Sequence, residues 1–285
     1  MLIDPFDHGW LRQLYAFPTS GLHTHLLLDG AFVPGLHHEV RRCSTDGGTI
    51  NLLFEELPGC NDEVRDASPF LVTCAARNPA MDLALTKCEG LPMVHAISSA
   101  ESTVGLATRL ARWCAIEADH QRFNFRFPDT RRLPGIFAAL SREQRSSLVG
   151  PMSHWRYIAR NGSWAELDLS SIERGVMPER ELFKSGCLLL SPEQFAVMVD
   201  DGDADSTLLL LGDRGLSWPL SQSEAHARVD GALAVARRAS LEEFLQLDWC
   251  EACLGDASLL DAACQPDAIR RWRQSTNAGR HLSIV

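Results

Sequence analysis

Three stretches of the chain carry residue types capable of chemistry. His23-Thr24-His25 sets two imidazoles on one strand face, because side chains two apart point the same way, and Asp29 follows four residues on. Two nitrogens and a carboxylate are the ligand chemistry of a metal-dependent hydrolase. Cys250-Glu251-Ala252-Cys253 has the spacing of a redox pair or of half a zinc site. Phe123, Phe125 and Phe127 alternate with Asn124 and Arg126, and Pro128, Asp129, Thr130 and Arg131 follow. That alternation predicts a strand with one aromatic face and Arg126 on the other. Pro128 ends the strand, and Asp129 or Thr130 is placed to cap a helix with Pro134 in its first turns.

Each stretch also has a plainer structural reading. A zinc site at Cys250 and Cys253 needs two more ligands, and only Cys264 and His281 follow. The pair falls inside a helical pattern rather than at a strand-to-helix turn, so the two cysteines read as helix-packing residues. No Glu-x-x-His pattern and no regular strand-helix series accompanies His23, His25 and Asp29, so the hydrolase is kept as a rival only. His37-His38 follows Pro34-Gly35 and reads as a solvated pair in a loop. Arg126 is placed to form an ion pair with Asp29 or Asp129. The chain has no Gly-x-Ser-x-Gly elbow, phosphate-cradling glycine loop or Gly-x-Gly-x-x-Gly fingerprint, so nucleophilic and nucleotide chemistry find no support.

Composition bounds the class. At 285 residues and 45% hydrophobic content, the chain can bury a full core in one large or two modest domains. With 27 basic against 37 acidic side chains the net charge is -10, which argues against nonspecific binding to nucleic acid or anionic membrane. The arginine pairs 41-42, 131-132 and 237-238 are too scattered for a nucleic-acid footprint. No apolar run approaches a membrane span, and the N-terminus lacks the basic head and apolar segment of a signal peptide, so a cytoplasmic protein is expected. Nine cysteines, an odd number mostly within apolar runs, then read as reduced buried thiols.

The elements that position these residues follow from the patterning. Residues 23–28 read as a central strand ending at Asp29-Gly30, and residues 50–57, 69–74 and 91–97 as further strands. Ser98 with Glu101 has the form of a capping box, followed by Val104, Ala107, Leu110, Ala111 and Cys114 at helical spacing. Ser141 with Gln144 opens a helix that stops at Gly150-Pro151, and residues 157–164, holding Asn161-Gly162, read as a hairpin. Ser191-Pro192-Glu193-Gln194 is a strong helix start, with Leu190 and Phe195 set as a staple. Residues 200–205 read as an acidic loop before a brief apolar run at 208–211. Ala225, Val229, Ala232, Leu233 and Ala236 form one helical face, and Ser240 with Glu243 starts a helix whose face is Leu241, Phe244, Leu245 and Trp249. The tail at 274–285 has little to hold it down.

The order of these motifs is similar to that of a known family. His25-Leu26-Leu27-Leu28-Asp29-Gly30-Ala31, then Pro69-Phe70-Leu71-Val72, a Ser98-capped helix, Phe125-Arg126-Phe127-Pro128-Asp129-Thr130-Arg131, and Gly150-Pro151 with Trp155 resemble the adaptor chaperones that load effectors onto the type VI secretion spike. That family typically carries Phe-Arg-Phe-Tyr-Asp-Pro-Arg at the central stretch. Here Pro128 and Thr130 depart from it, while Arg126, Asp129 and Arg131 match. Residues 234–255, with Ser240, Phe244 and Leu254-Gly255, resemble the family's closing helices.

The resemblance implies a noncatalytic, cytoplasmic adaptor of a Gram-negative bacterium. It would bind a secreted effector, often through the effector's N-terminal region, help dock it on the spike protein, and need no cofactor. Arg126, Asp129, Arg131, Asp29 and Trp155 become the candidate effector-binding residues, Arg126 and Arg131 bordering the groove. Of the aromatic residues Trp113, Trp155, Tyr157 and Trp164, most are expected in the core and one or two as exposed anchors. The expected architecture is α+β: an α/β lobe with a mixed sheet over residues 1–169, a linker over 170–186, and a helical lobe over 187–285. Two rivals stand beside the adaptor. One is the hydrolase using His23, His25 and Asp29, whereas an adaptor is expected to hold no stoichiometric metal. The other is an immunity protein that binds a toxin's catalytic domain.

Overall fold

The segment His23–Asp29 is buried at every residue after the first. A strand reaches that state only with a neighbour on each edge and a layer on each face, and its near-continuous apolar run suits such a position. The computed structural model describes residues 2–17, 21–43, 50–55, 57, 59–74, 77–170, 172, 182–184, 187–262 and 269–274. The strands are β1 (His23–Asp29), β2 (Asn51–Leu52), β3 (Pro69–Thr73), β4 (Val94–Ser99), β5 (Ala115–Ala118), β6 (Gln121–Asn124), β7 (Met152–Ile158), β8 (Trp164–Glu166), β9 (Phe183–Lys184) and β10 (Cys187–Leu189). The helices are α1 (Trp10–Ala16), α2 (Leu36–Cys43), α3 (Asp62–Asp66), α4 (Pro79–Leu85), α5 (Thr103–Ala111), α6 (Leu133–Ala139), α7 (Arg142–Val149), α8 (Pro192–Asp200), α9 (Asp203–Asp213), α10 (Gln222–Arg238), α11 (Glu243–Gly255) and α12 (Ser258–Ala262).

The first sheet has the order β2-β3-β1-β4-β7-β8, with every neighbouring pair antiparallel. A second sheet, β6-β5-β10-β9, is mixed, since β5 and β10 run parallel. The period-two pleat divides the first sheet's side chains between two cores. Leu27, Leu71, Ile97 and Trp155 face one, together with Leu106 and Leu110 of α5, Phe137 of α6 and Leu148 of α7. Leu26, Leu28, Phe70, Val94 and Ala96 face the other, with Trp10 and Leu14 of α1, Leu36 and Val40 of α2, and Leu85 of α4.

Residues 1–201 form one compact unit and residues 202–285 a second. The second is helical, with its own core of Leu211 from α9, Val229, Ala232, Leu233 and Ala236 from α10, and Trp249, Cys250 and Cys253 from α11. The fold is thus α+β, with an N-terminal sheet region and C-terminal helices. Strand β10 and helix α8 lie with the sheets, so the division falls later than the 170–186 linker; most of that stretch, and all but the first residue of the 274–285 tail, lies outside the described residues.

Local signals account for several helix starts. Full capping boxes form at Ser141/Gln144, Ser191/Gln194 and Ser221/Glu224. The expected box at Ser98 does not form, because Ser98 is held in β4 between Thr24 and His154. Helix α5 starts instead at Ser102, whose Oγ accepts from Gly105 N, while Glu101 pairs with Arg109 at 2.6 Å. Ser240 likewise fails as a cap: its backbone is left-handed, with φ 48°, and Glu242 flanks α11. Phe244 on that helix is 72% exposed rather than part of the apolar face. The latter half of the acidic loop and the brief apolar run are one helix, α9, with Asp203 and Asp205 in its first turn where the helix dipole favours them. Among the described residues of 50–57, the strand is only the two-residue β2 before the chain turns. Cys250 and Cys253 pack inside α11, and burial pushes both thiols up to about 12, which leaves them unreactive.

The hairpin joining β7 to β8 turns at Gly162, whose φ is 76° and where an added Cβ would lie 2.0 Å from the carbonyl oxygen of Pro5. Asp7 N donates to Gly162 O at 2.9 Å, so the N-terminal segment is seated directly on this turn. Gly162→Ala is expected to cost at least about 2 kcal/mol, through strain at positive φ and displacement of that segment. Urea unfolding followed by tryptophan fluorescence, which reports Trp10 and Trp164 nearby, measures it; an unchanged midpoint would contradict the close approach.

Candidate functional site

The central stretch is less regular than its alternation predicts. Strand β6 stops at Asn124, and residues 125–132 turn through irregular backbone before α6. Burial still alternates: Phe125 and Phe127 enter the core, and Arg126 keeps 41% of its side chain exposed. Phe127 meets Trp155 edge to face, with ring centroids 6.2 Å apart. Neither Asp129 nor Thr130 caps α6, which begins after Arg132 without a side-chain cap and with Pro134 in its first turn. The Asp129 carboxylate is engaged by Arg131 instead. Its Oδ1 accepts from Arg131 N at 3.0 Å and Arg131 Nε at 3.1 Å, and its Oδ2 from Arg131 Nη2 at 2.8 Å. This planar fork holds the turn closed.

Three bonds pin the turn to the first sheet and the segment leading into β4. Thr130 N donates to Pro92 O at 2.9 Å, His95 Nε2 to Pro128 O at 2.8 Å, and Arg126 Nη2 to Asp29 Oδ2 at 2.9 Å. Trp155 Nε1 donates to His95 Nδ1 at 3.2 Å, so the imidazole carries its proton on Nε2 and both ring nitrogens are used. His95 is wholly buried, and desolvation lowers its pKa to about 4. Asp29 ends β1 at 1% exposure, with Oδ1 accepting from Ala31 N at 3.1 Å. Burial raises its carboxyl above the ordinary carboxylate range, opposed by the Arg126 charge and the Ala31 N–H.

One residue absent from the sequence reading completes the rim. The ring of the half-buried Phe32 has the Arg126 guanidinium 5.2 Å and the Arg131 guanidinium 5.8 Å from its centroid. Its only sequence signal is an aromatic residue in a loop bounded by Gly30 and Pro34-Gly35. His95 is equally inconspicuous, a single polar residue in an apolar run.

The structure thus brings Asp29, Arg126, Asp129 and Arg131 to one end of the central strand, but with unequal access. Asp29 and Asp129 are buried, and Arg131 is mostly so. Trp155 requires correction as a contact residue: it is fully buried beneath the turn, where it orients His95 and packs on Phe127. Trp113 and Tyr157 are core as well, and Trp164 is half-buried with its Nε1 on Trp10 O.

The set His23, His25 and Asp29 is not assembled. Four residues of extended strand separate His25 from Asp29 by about 13 Å, too far to share an ion. His25 Nε2 lies 3.2 Å from Glu101 O and its Nδ1 3.3 Å from Thr103 Oγ1, while Asp29 faces Arg126. His37 is also misplaced by the sequence reading, being buried in the first turn of α2 rather than solvated in a loop.

A family model described as "Domain of unknown function (DUF4123)" matches residues 24–147. The matched span holds Asp29, Phe32, His95, Arg126, Asp129 and Arg131. No curated protein and no solved structure matches the chain. Among the described residues, no helix is long and apolar enough to cross a membrane.

Because the folded His95 resists protonation, the unfolded chain binds its proton more readily between the ordinary histidine pKa of about 6.5 and about 4. Stability contributed by the neutral His95 is present above that window and is lost as pH falls through it, by about 3 kcal/mol in all. The raised Asp29 carboxyl acts in the opposite sense, so the comparison is with His95→Gln, which should lose most of the wild-type acid slope whatever its own stability. Urea midpoints from pH 7 to pH 4 measure it; equal slopes would refute the role given to His95.

Proposed function

We propose that this chain is a noncatalytic adaptor that binds a type VI secretion effector and promotes its loading onto the spike protein. The observation that carries the reading is the family match over residues 24–147, which spans most of the motifs whose order resembles those adaptors and all four charged residues of the site. The site chemistry supports it. Asp29, Asp129 and Arg131 satisfy one another or Arg126 internally, an arrangement suited to holding shape rather than to moving protons.

Arg126 is the residue left to act outward. Nη2 is its one nitrogen with a hydrogen bond among the described residues, and its Nε is buried without a partner. Beside the half-buried Phe32 it presents a partly used fork over an aromatic ring, the pairing favoured where an interface concentrates its binding energy. In this reading Arg126 and Phe32 touch the effector's N-terminal region. Asp29, Asp129, Arg131 and Trp155 position them.

The test is co-purification of the tagged chain with the effector encoded beside it, using full-length effector, effector lacking its N-terminal region, and the isolated toxin domain. Binding that requires the N-terminal region is expected. In an Asp29→Asn background, which leaves no carboxylate buried without its cation, Arg126→Gln and Phe32→Ala should each weaken binding about tenfold with little further change in melting temperature. Binding to the toxin domain alone would establish the immunity reading instead, and no binding to any form would sink the adaptor.

A further inference from the structure

We infer that His37, His38 and Asp66 form a binding site for a divalent transition-metal ion, zinc being the type, that ties α2 to the end of α3. One ligand atom from each of the three lies within 4.8 Å of the others, the one such grouping of histidine, cysteine and carboxylate side chains among the described residues. His38 Nε2 and Asp66 Oδ1 are 3.2 Å apart, and the two imidazole rings lie 3.9 Å centroid to centroid. Around tetrahedral zinc, bonds of roughly 2.0–2.2 Å put neighbouring ligand atoms about 3.3 Å apart. The His38–Asp66 edge therefore already has the length a metal requires. The side chains that must close the remaining gap are the exposed ones, His38 at 60% and Asp66 at 41% exposure.

The independent observation is His37 itself. It is 2% exposed, and its Nδ1 is buried with no hydrogen-bond partner among the described residues. The other buried histidines differ: His25 and His95 each engage both ring nitrogens. A buried imidazole nitrogen left unpaired is a cost that native structures rarely carry without a purpose. A metal bond would satisfy the ring.

The backbone holds this geometry in place. Gly35 N donates to Asp66 O at 2.9 Å, joining the entry to α2 to the end of α3, and the His37 ring packs edge-on against Phe70 of β3 at 6.1 Å. A cleft of about 560 Å³ adjoins the two histidines, lined in part by His37, His38, Arg41, Glu55 and Arg65. Arg41 opposes a cation there, and Glu55 and Asp66 favour one. Arg65 is held by Glu55 at 3.2 Å and Asp62 at 3.0 Å. Two nitrogens and one oxygen, without thiolate, suit zinc, nickel or cobalt rather than magnesium or calcium.

The experiment titrates the chelator-treated full chain with Zn2+ and with Co2+. One equivalent of zinc should bind with a dissociation constant in the micromolar range and raise the melting temperature, and the cobalt spectrum should lack a thiolate charge-transfer band. His38→Ala and Asp66→Asn, both at exposed side chains and checked by circular dichroism, should each weaken binding at least about tenfold. Saturable binding unchanged in both variants, a thiolate band, or no saturable binding would each overturn the site. One equivalent of zinc here would set aside the expectation that an adaptor holds no stoichiometric metal, and effector capture, read separately by co-purification, remains the test of the adaptor itself.

Discussion

A carboxylate with 1% of its surface exposed, at the end of a strand covered on both faces, has to be satisfied by the chain that buries it. Asp29 is that carboxylate, and Arg126 reaches it from 97 positions away. Meeting this demand places the turn after β6 against the first sheet. The turn can sit there because Phe125 and Phe127 enter the same core as Trp155, and because His95 offers a neutral N–H to the Pro128 carbonyl. The ion pair alone would add little net stability, since desolvation offsets much of its attraction. Its value lies in specificity: the observed seating of the turn provides Asp29 with a cation while burying both phenylalanines.

Legibility in the sequence followed the range of the interactions. The strands β1 and β3 were readable from Leu26-Leu27-Leu28 and Phe70-Leu71-Val72, because unbroken apolar runs of that length suit a sheet covered on both sides. The boxes at Ser141 and Ser191 were readable because all their atoms lie within four residues. The same pattern failed at Ser98, where pairing to Thr24 and His154 continues a ladder that the local signal cannot overrule. Asp29 and Arg126 were each visible as charged residues in apolar surroundings, and their pairing was one of two options that spacing left open. His95, Phe32 and the neighbours of His37 had no such signal, since their partners lie far along the chain.

The site divides its labour between buried and exposed groups. Asp129 with Arg131 and Asp29 with Arg126 use four charges to fix one turn, and only Arg126 retains substantial exposure. A buried acid that positions a partly exposed arginine restricts its rotamers in the folded chain, so an ordering cost that any contact through it would carry is met during folding. The half-buried Phe32 ring lies beside both guanidiniums, and the Phe127 ring lies in the core.

The first sheet ends in β2 and β8, strands of two and three residues. An incoming peptide adding itself to either edge would find only two or three residues of ladder before the register ran out. Main-chain addition is indifferent to sequence and serves proteins that capture many extended segments, or that aggregate. A sheet with such curtailed margins has little capacity for that kind of promiscuous zippering. The margins of this sheet therefore favour recognition through side chains over recognition through main-chain addition, a mode that single substitutions can retune.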